Sequence, residues 1–310
     1  MRTVMNKMQK SAFALSITLW IIAALMAGSV MTLSFVKSGV QTVTLLEQKL
    51  QVQLRAENTF QLLLYYLKKG AYNYDFVMFD MPKTPGYVFP KKLLLNDSEQ
   101  QLGEEVSVFL KDTGGLYSLM LPSAREISSL AWPTNPGKER VSTAAFTDWV
   151  DADSQPNLNG AESEYYLRKT GVHPRNRYSL QDLEELRLVR GFADMNETQW
   201  KAFGTHLYYG RSGFVNLMTL DKELLPGVLR VDAEKALSLD ALRHSNPNLF
   251  VQTLYSLPGF DTQSLKFAPT KQVKIHIVSK SGNAAAHIEA LVDMEYNFGH
   301  EITITHYSSH

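Results

Sequence analysis

The feature that most constrains this chain is a run of 26 residues, Ser11 to Val36, with no Asp, Glu, Lys or Arg. As an α-helix rising about 1.5 Å per residue, such a run can cross a hydrocarbon core about 30 Å thick. Arg2, Lys7 and Lys10 precede it, and no acidic residue does. Basic flanks stay on the cytoplasmic side, so everything after Lys37 is expected on the other side. A secretory signal peptide has a shorter apolar core followed by small residues at a cleavage site. Ala27-Gly28-Ser29 could imitate such a site, and an uncleaved anchor is the other plain reading.

The helical pattern continues past the membrane exit. Val36, Val40, Val43, Leu46, Leu50 and Leu54 recur at three- and four-residue spacing, and Leu62, Leu63 and Leu67 prolong the face. Gln41, Glu47, Lys49, Gln51 and Gln53 fill the opposite side. One helix is expected from about Phe13 to about Lys69, with Gly70 as its stop. Its first half would lie in lipid and its second half against a folded domain.

That domain has no cysteine, which excludes disulfides, thiolate zinc and a cysteine nucleophile. Lys and Arg number 31, as do Asp and Glu, so the chain lacks the basic excess of a nucleic-acid binder. Val106–Leu110 and Leu116–Leu121 flank Asp112-Thr113-Gly114-Gly115 and read as a β-hairpin. Pro122 to about Arg140 is loop-rich, and Thr143 to about Leu257 is mostly helical in pattern. Strand-like runs follow at Lys271–Lys280, Ala284–Tyr296 and Glu301–Tyr307. Strands on both sides of a helical block predict an α+β fold: a long N-terminal transmembrane helix packed on an antiparallel sheet, with a large helical insertion.

One acidic segment has the spacing of a cation loop. Counting Asp151 as position one, Asp153 is three, Gln155 is five and Glu162 is twelve. Oxygens so spaced can converge on a hard cation such as calcium. Pro156 stands where an EF-hand needs Gly, so this is no EF-hand, but Pro156 and Gly160 predict a tight non-helical loop. Asp148, Asn159 and Glu164 are further oxygen donors. A solvated acidic loop, with Asp153 or Ser154 capping turns, fits the same residues.

Other chemistry is poorly supplied. There is no Gly-x-Ser-x-Gly elbow and no His-Glu-x-x-His helix. The histidines are scattered, none at metal-ligand spacing on one helix face, and read as surface or packing residues. Leu254-Tyr255-Ser256-Leu257-Pro258-Gly259-Phe260 has the form of a helix–hairpin–helix turn, whose amides can hold a DNA phosphate. Its flanks carry little positive charge, so a packing turn is expected and nucleic acid is not.

Several segments resemble known families. Lys10-Ser11-Ala12-Phe13-Ala14-Leu15 is similar to a type IV prepilin signal, with Ala in place of the usual Gly. That likeness implies cleavage between Ala12 and Phe13 by prepilin peptidase. Asp148-Trp149-Val150-Asp151-Ala152-Asp153-Ser154-Gln155-Pro156, then Gly160-Ala161-Glu162 and Tyr165-Tyr166-Leu167, closely resemble the general secretion pathway protein K family. Val106–Leu116, Leu183–Phe192 and Phe214–Thr219 resemble further family motifs in the family order.

The resemblance implies a minor pseudopilin of a type II secretion system, not an enzyme. It implies residues 1–12 as leader and 13–36 as the transmembrane half-helix. Residues 37–121 would begin a pilin-like domain, 122–268 form the inserted α-helical domain, and 269–310 supply the C-terminal strands. The family's α-domain is a calcium binder, which favours calcium at Asp151, Asp153, Gln155 and Glu162. Implied partners are the I- and J-type minor pseudopilins at the pseudopilus tip, the major pseudopilin below, the prepilin peptidase and the bacterial inner membrane, with the soluble part in the periplasm. Most pilins carry Glu at the fifth mature position, where it pairs with the amine of the subunit above. Here that position is Ile17, which implies a cap. Two other readings stay open: a minor pilin of a type IV pilus-like machine, and a membrane-anchored periplasmic calcium-dependent enzyme.

Overall fold

A computed structural model describes residues 2–79, 90–103, 105–120, 123–174, 180–210, 214–257, 260–294 and 302–310, with side chains from residue 17 onward. One helix, α1 (Arg2–Lys69), runs through the whole apolar segment and beyond it. From Ile17 through Leu46 its side chains are exposed, Trp20 and Phe35 by three quarters. It is long and apolar enough to cross a membrane. Several hydroxyls in this stretch bond back into the helix: Ser29 donates to the Leu25 carbonyl and Thr32 to the Gly28 carbonyl, each at 2.9 Å. Such back-bonding removes the cost of carrying a polar group into an apolar medium.

The second half of α1 is buried along one face, by Val52, Ala56, Phe60, Leu63 and Leu67. Short strands β1 (Ala71–Asn73), β2 (Phe76–Met78) and β3 (Lys92–Leu94) form an antiparallel sheet after it. Then come β4 (Gln100–Gly103), β5 (Val106–Asp112) and β6 (Tyr117–Ser118). The inserted region contains α2 (Ala124–Ala131), α3 (Pro136–Val150), α4 (Ser163–Lys169), α5 (Glu197–Gly204), β7 (Leu207–Tyr208), β8 (Val215–Asn216), α6 (Leu225–Leu229), α7 (Ala233–Ser245), α8 (Pro247–Tyr255) and β9 (Leu265–Lys266). The chain returns as β10 (Gln272–Ser281), β11 (Ala284–Asp293) and β12 (Thr303–Ser309).

The main sheet is antiparallel in the order β12-β11-β10-β5-β4. Alternation decides its faces. Val273, Ile275 and Ile277 of β10 and Ile288, Ala290 and Val292 of β11 are buried against α1, while the residues between them face outward. The α+β architecture expected from the sequence is the one observed, with the sheet's strands drawn from both sides of the helical region.

Two local expectations need correction. Val106–Leu121 is not a hairpin: β5 pairs with β10 and β4, and β6 pairs in parallel with β7. A 3-10 turn at Thr113–Gly115 carries the chain off the sheet into the insertion. The Pro122–Arg140 segment is not merely loop. It contains α2, capped by Ser123, and the start of α3, capped by Asn135 with Pro136 at the first helical position. Phe214–Thr219 holds the two-residue strand β8, and the helices α6, α7 and α8 follow it. Pro258 and Gly259 of the expected hairpin turn lie outside the described residues.

Both crossings between sheet and insertion meet at Asp112. Its buried carboxylate accepts five hydrogen bonds: from Gly114 N (3.3 Å), Asn216 Nδ2 (2.8 Å), Thr219 Oγ1 (3.0 Å), Thr270 N (2.9 Å) and Thr270 Oγ1 (2.6 Å). Beside it, Lys111 Nζ donates to the Thr219 carbonyl at 3.1 Å and pairs with Asp221, which also meets His206 Nδ1 at 2.7 Å. A strand of the sheet thus holds the insertion through buried, charge-assisted bonds.

Candidate metal centre

The acidic loop joins α3 to α4, and packing below it fixes both ends. α3 buries Ala145, Phe146 and Trp149. Trp149 meets Tyr166 of α4 edge to face, with ring centroids 4.8 Å apart. The indole N–H of Trp149 donates to Glu185 Oε1 at 2.9 Å, and Glu185 Oε2 accepts from Gln181 N at 2.7 Å. Arg190 Nη1 donates to the Gly160 carbonyl at 2.9 Å, and the Arg190 backbone N–H donates to the Tyr166 hydroxyl at 3.2 Å. The Leu183–Phe192 segment is therefore a brace under the loop. Gly191 lets it pass close to Ser142, with φ of +93°, a value that favours glycine.

α3 ends at Val150, and Asp151 is extended, with its N–H on the Thr147 carbonyl at 3.0 Å. Asp148, one turn earlier, is fully buried and accepts the Asn157 N–H at 3.2 Å. Gly160 closes the turn, N–H to the Asn157 carbonyl at 2.8 Å, and a Cβ there would overlap Asp148 Oδ2. Glu162 then caps the start of α4 without any side-chain capping bond.

These constraints bring Asp148, Asp151 and Glu162 together, with one carboxylate oxygen of each within 4.8 Å of the others. Asp151 Oδ1 and both Glu162 oxygens are buried and accept no hydrogen bond. Burial first, then Asp148 and Asp151, pushes the Glu162 carboxyl above its ordinary value. Burial first, then Asp153 and Asp148, does the same to Asp151. A buried carboxylate left unpaired costs several kcal/mol unless a proton or a cation meets it. An all-oxygen set of this kind suits a hard cation that takes oxygens at about 2.3–2.6 Å.

The twelve-residue count from the sequence thus meets the structure at its two ends, Asp151 and Glu162. Asp153 is exposed, and its Oδ1 accepts the Gln155 N–H at 2.8 Å; Gln155 is also exposed. The third carboxylate of the cluster is Asp148, legible in sequence only as one further donor. Asn159 sits at φ +70° on the loop surface, and Glu164 is turned outward beside Arg168 at 3.4 Å. Two other features gave no sequence signal: the Asp112 clamp, and Glu185 as the partner of Trp149.

A helix of membrane-spanning length on an antiparallel sheet, with a helical insertion carrying a buried carboxylate cluster, defines an α+β protein of pilin-like fold. The insertion carries the sequence likeness. Residues 130–199 match the family described as type II secretion system (T2SS), protein K. The matched residues include all three clustered carboxylates and their Glu185–Arg190 brace. The type II secretion system protein K of Klebsiella pneumoniae is 51% identical over 49 residues, 16% of this chain and 15% of that protein. The protein K of Dickeya chrysanthemi is 45% identical over 53 residues, 17% of this chain and 14% of that protein. The chain thus aligns with under a fifth of these relatives' length. The fold likeness is wider: a chain of the GspK-GspI-GspJ complex from enterotoxigenic Escherichia coli is similar over 87% of this chain and 99% of that one, with a TM-score of 0.55 at 14% identity.

Proposed function

We propose that this protein is a minor pseudopilin of a type II secretion system. It would be held in the bacterial inner membrane by α1, with its sheet and insertion in the periplasm. The observation that carries the reading is the protein K domain at residues 130–199, set within a fold that a helix with a bare apolar half anchors. The partners would be the I- and J-type minor pseudopilins, since the structurally similar E. coli chain is described in a GspK-GspI-GspJ complex. Its role would be assembly, not catalysis. Co-expression with both minor pseudopilins should yield one complex that co-purifies in detergent. Recovery of this chain alone, with all three proteins present and folded, would overturn the reading.

A place at the tip agrees with two features. Ile17 offers no carboxylate to a subunit above, and burying an unpaired charge in an apolar bundle costs several kcal/mol. The insertion also occupies the end of the sheet domain where β5 and β10 meet it. Cysteines placed along α1 should crosslink to minor subunits at one filament end only. Regular crosslinks to the major subunit on both sides would refute a cap.

We also infer that the carboxylate cluster holds calcium, with Asp148, Asp151 and Glu162 as its core and Asp153 and Gln155 within reach on the loop. The orphaned oxygens of Asp151 and Glu162 support this. The ion would tie the end of α3 to the start of α4 and so fix the insertion's shape for its partners.

A further inference from the structure

Four of the histidines that look scattered in sequence come to one place on the sheet. Strand alternation puts His276 of β10, His287 of β11 and His306 and His310 in and just after β12 on the outer face, away from α1. Three of them form a row. The His276 and His287 ring centroids are 5.8 Å apart with planes 16° apart, and the His287 and His310 centroids are 5.9 Å apart with planes at 14°. Phe109 of β5 closes the row on the other side, 5.3 Å from His276.

The first pair is more than a stack. His276 Nε2 and His287 Nδ1 are 3.5 Å apart. With ring centres at 5.8 Å, that separation means each ring turns a nitrogen edge to the other. Two facing imidazole nitrogens cannot both carry a proton there without setting N–H against N–H. The gap can be filled by one shared proton or by one metal ion. A tetrahedral zinc site with Zn–N bonds of about 2.0–2.1 Å has an N–N edge of about 3.3–3.4 Å. The observed N–N spacing is close to that edge, but with ring centres 5.8 Å apart the two nitrogens point along one line, so holding the ion requires each ring to tilt by about 35°.

The surroundings fit the second occupant. His276 is half-buried on this face, with Lys274 and Asp97 also near it. Glu289 is the direct cross-strand partner of His276 on the same face, placed to orient the ring or to join the ligand set. His310 is backbone-paired with His287, N–H to carbonyl at 2.7 and 3.1 Å in the two directions. Its ring is exposed and lies against His287.

We propose that this imidazole row is a binding site for a divalent transition-metal ion of the zinc class, ligated by His276 Nε2 and His287 Nδ1 and completed by His310 or Glu289. The ion would pin β10, β11 and the edge strand β12 together on the face opposite α1. The site is separate from the oxygen-lined cluster in the insertion, which suits a hard cation. It also does not rest on the pseudopilin reading.

The test is equilibrium dialysis of zinc against the full chain in detergent, made without a polyhistidine tag and with calcium in excess to occupy the carboxylate cluster. One zinc per chain is expected, and His287→Ala should weaken it at least about tenfold, since losing even an outer-shell partner costs 10–100-fold. Cobalt should give a visible d–d spectrum that His276→Gln changes, while both variants melt as the unmodified chain does without metal. Zinc binding that survives both substitutions, or no binding at about millimolar metal, would overturn the proposal and leave a shared proton between the two rings.

Discussion

Replacing Asp112 by Ala should be the most damaging single polar change in the protein. The carboxylate is fully buried and accepts five hydrogen bonds, three from the two chain crossings and two from Asn216 and Thr219 inside the insertion. Some donors can turn elsewhere: Asn216 Nδ2 also reaches the Tyr74 carbonyl at 3.0 Å, and Thr270 Oγ1 reaches the Gln272 carbonyl at 3.4 Å. The Thr270 N–H and the Gly114 N–H have no such alternative in view. Removing one member of a buried charged network costs about 3–5 kcal/mol, and that range is expected here. Urea unfolding should show a lower midpoint. Limited proteolysis should cut first in the crossings near residues 113–118 and 267–271, because the clamp that holds them is gone. Asp112→Asn keeps the shape but sets an amide N–H₂ against donors, so it should cost less, about 1–3 kcal/mol. A loss below about 1 kcal/mol for Asp112→Ala would refute the idea that this residue locks the insertion to the sheet.

Calcium should raise the melting temperature relative to chelator, since a ligand bound only by the folded state adds about 2.7 kcal/mol at one hundred times its dissociation constant. Glu162→Gln should abolish that difference while leaving the calcium-free protein no less stable, because it relieves repulsion among three carboxylates; a calcium shift that persists would sink the site. Burial raises the Asp221 carboxyl, but the His206 hydrogen bond and Lys111 outweigh it, so its folded pKa is depressed. Its contribution is therefore complete above the ordinary carboxylate pKa of about 4 and is lost as pH falls below it. Asp221→Asn should thus be less stable than the parent at neutral pH, with the gap closing in acid, and a gap that does not depend on pH would count against the assignment. Intact-mass measurement of the membrane form should give a chain beginning at Phe13; a start at Met1 or near Ser29 would exclude prepilin processing.

What the sequence determined by itself is whatever depends on neighbours along the chain. The charge-free run and the three–four spacing from Val36 to Leu67 require one continuous helix, because both signals repeat every turn of the same element. The alternation in Val273–Ile277 likewise assigns a strand and its buried face. Asp151 and Glu162 were legible as the two ends of an acidic loop because their twelve-residue spacing is local to the chain. Asp148 joins them only because α3 stops one turn later and Gly160 lets the loop fold back over it. The tertiary structure decided what depends on which strands meet. Leu116–Leu121 looked like the return of a hairpin, yet Gly114 and Gly115 fit tightly against Thr270 and Thr219, and the chain leaves the sheet there. Asp112 gathers donors from positions 114, 216, 219 and 270, a set that no spacing rule connects. His276 and His287 face each other because β10 and β11 pair in one register, and a slip of one residue would turn either ring to the opposite face. Such sites arise from long-range pairing, whose energy comes from the buried apolar face against α1 and not from the polar residues it happens to align.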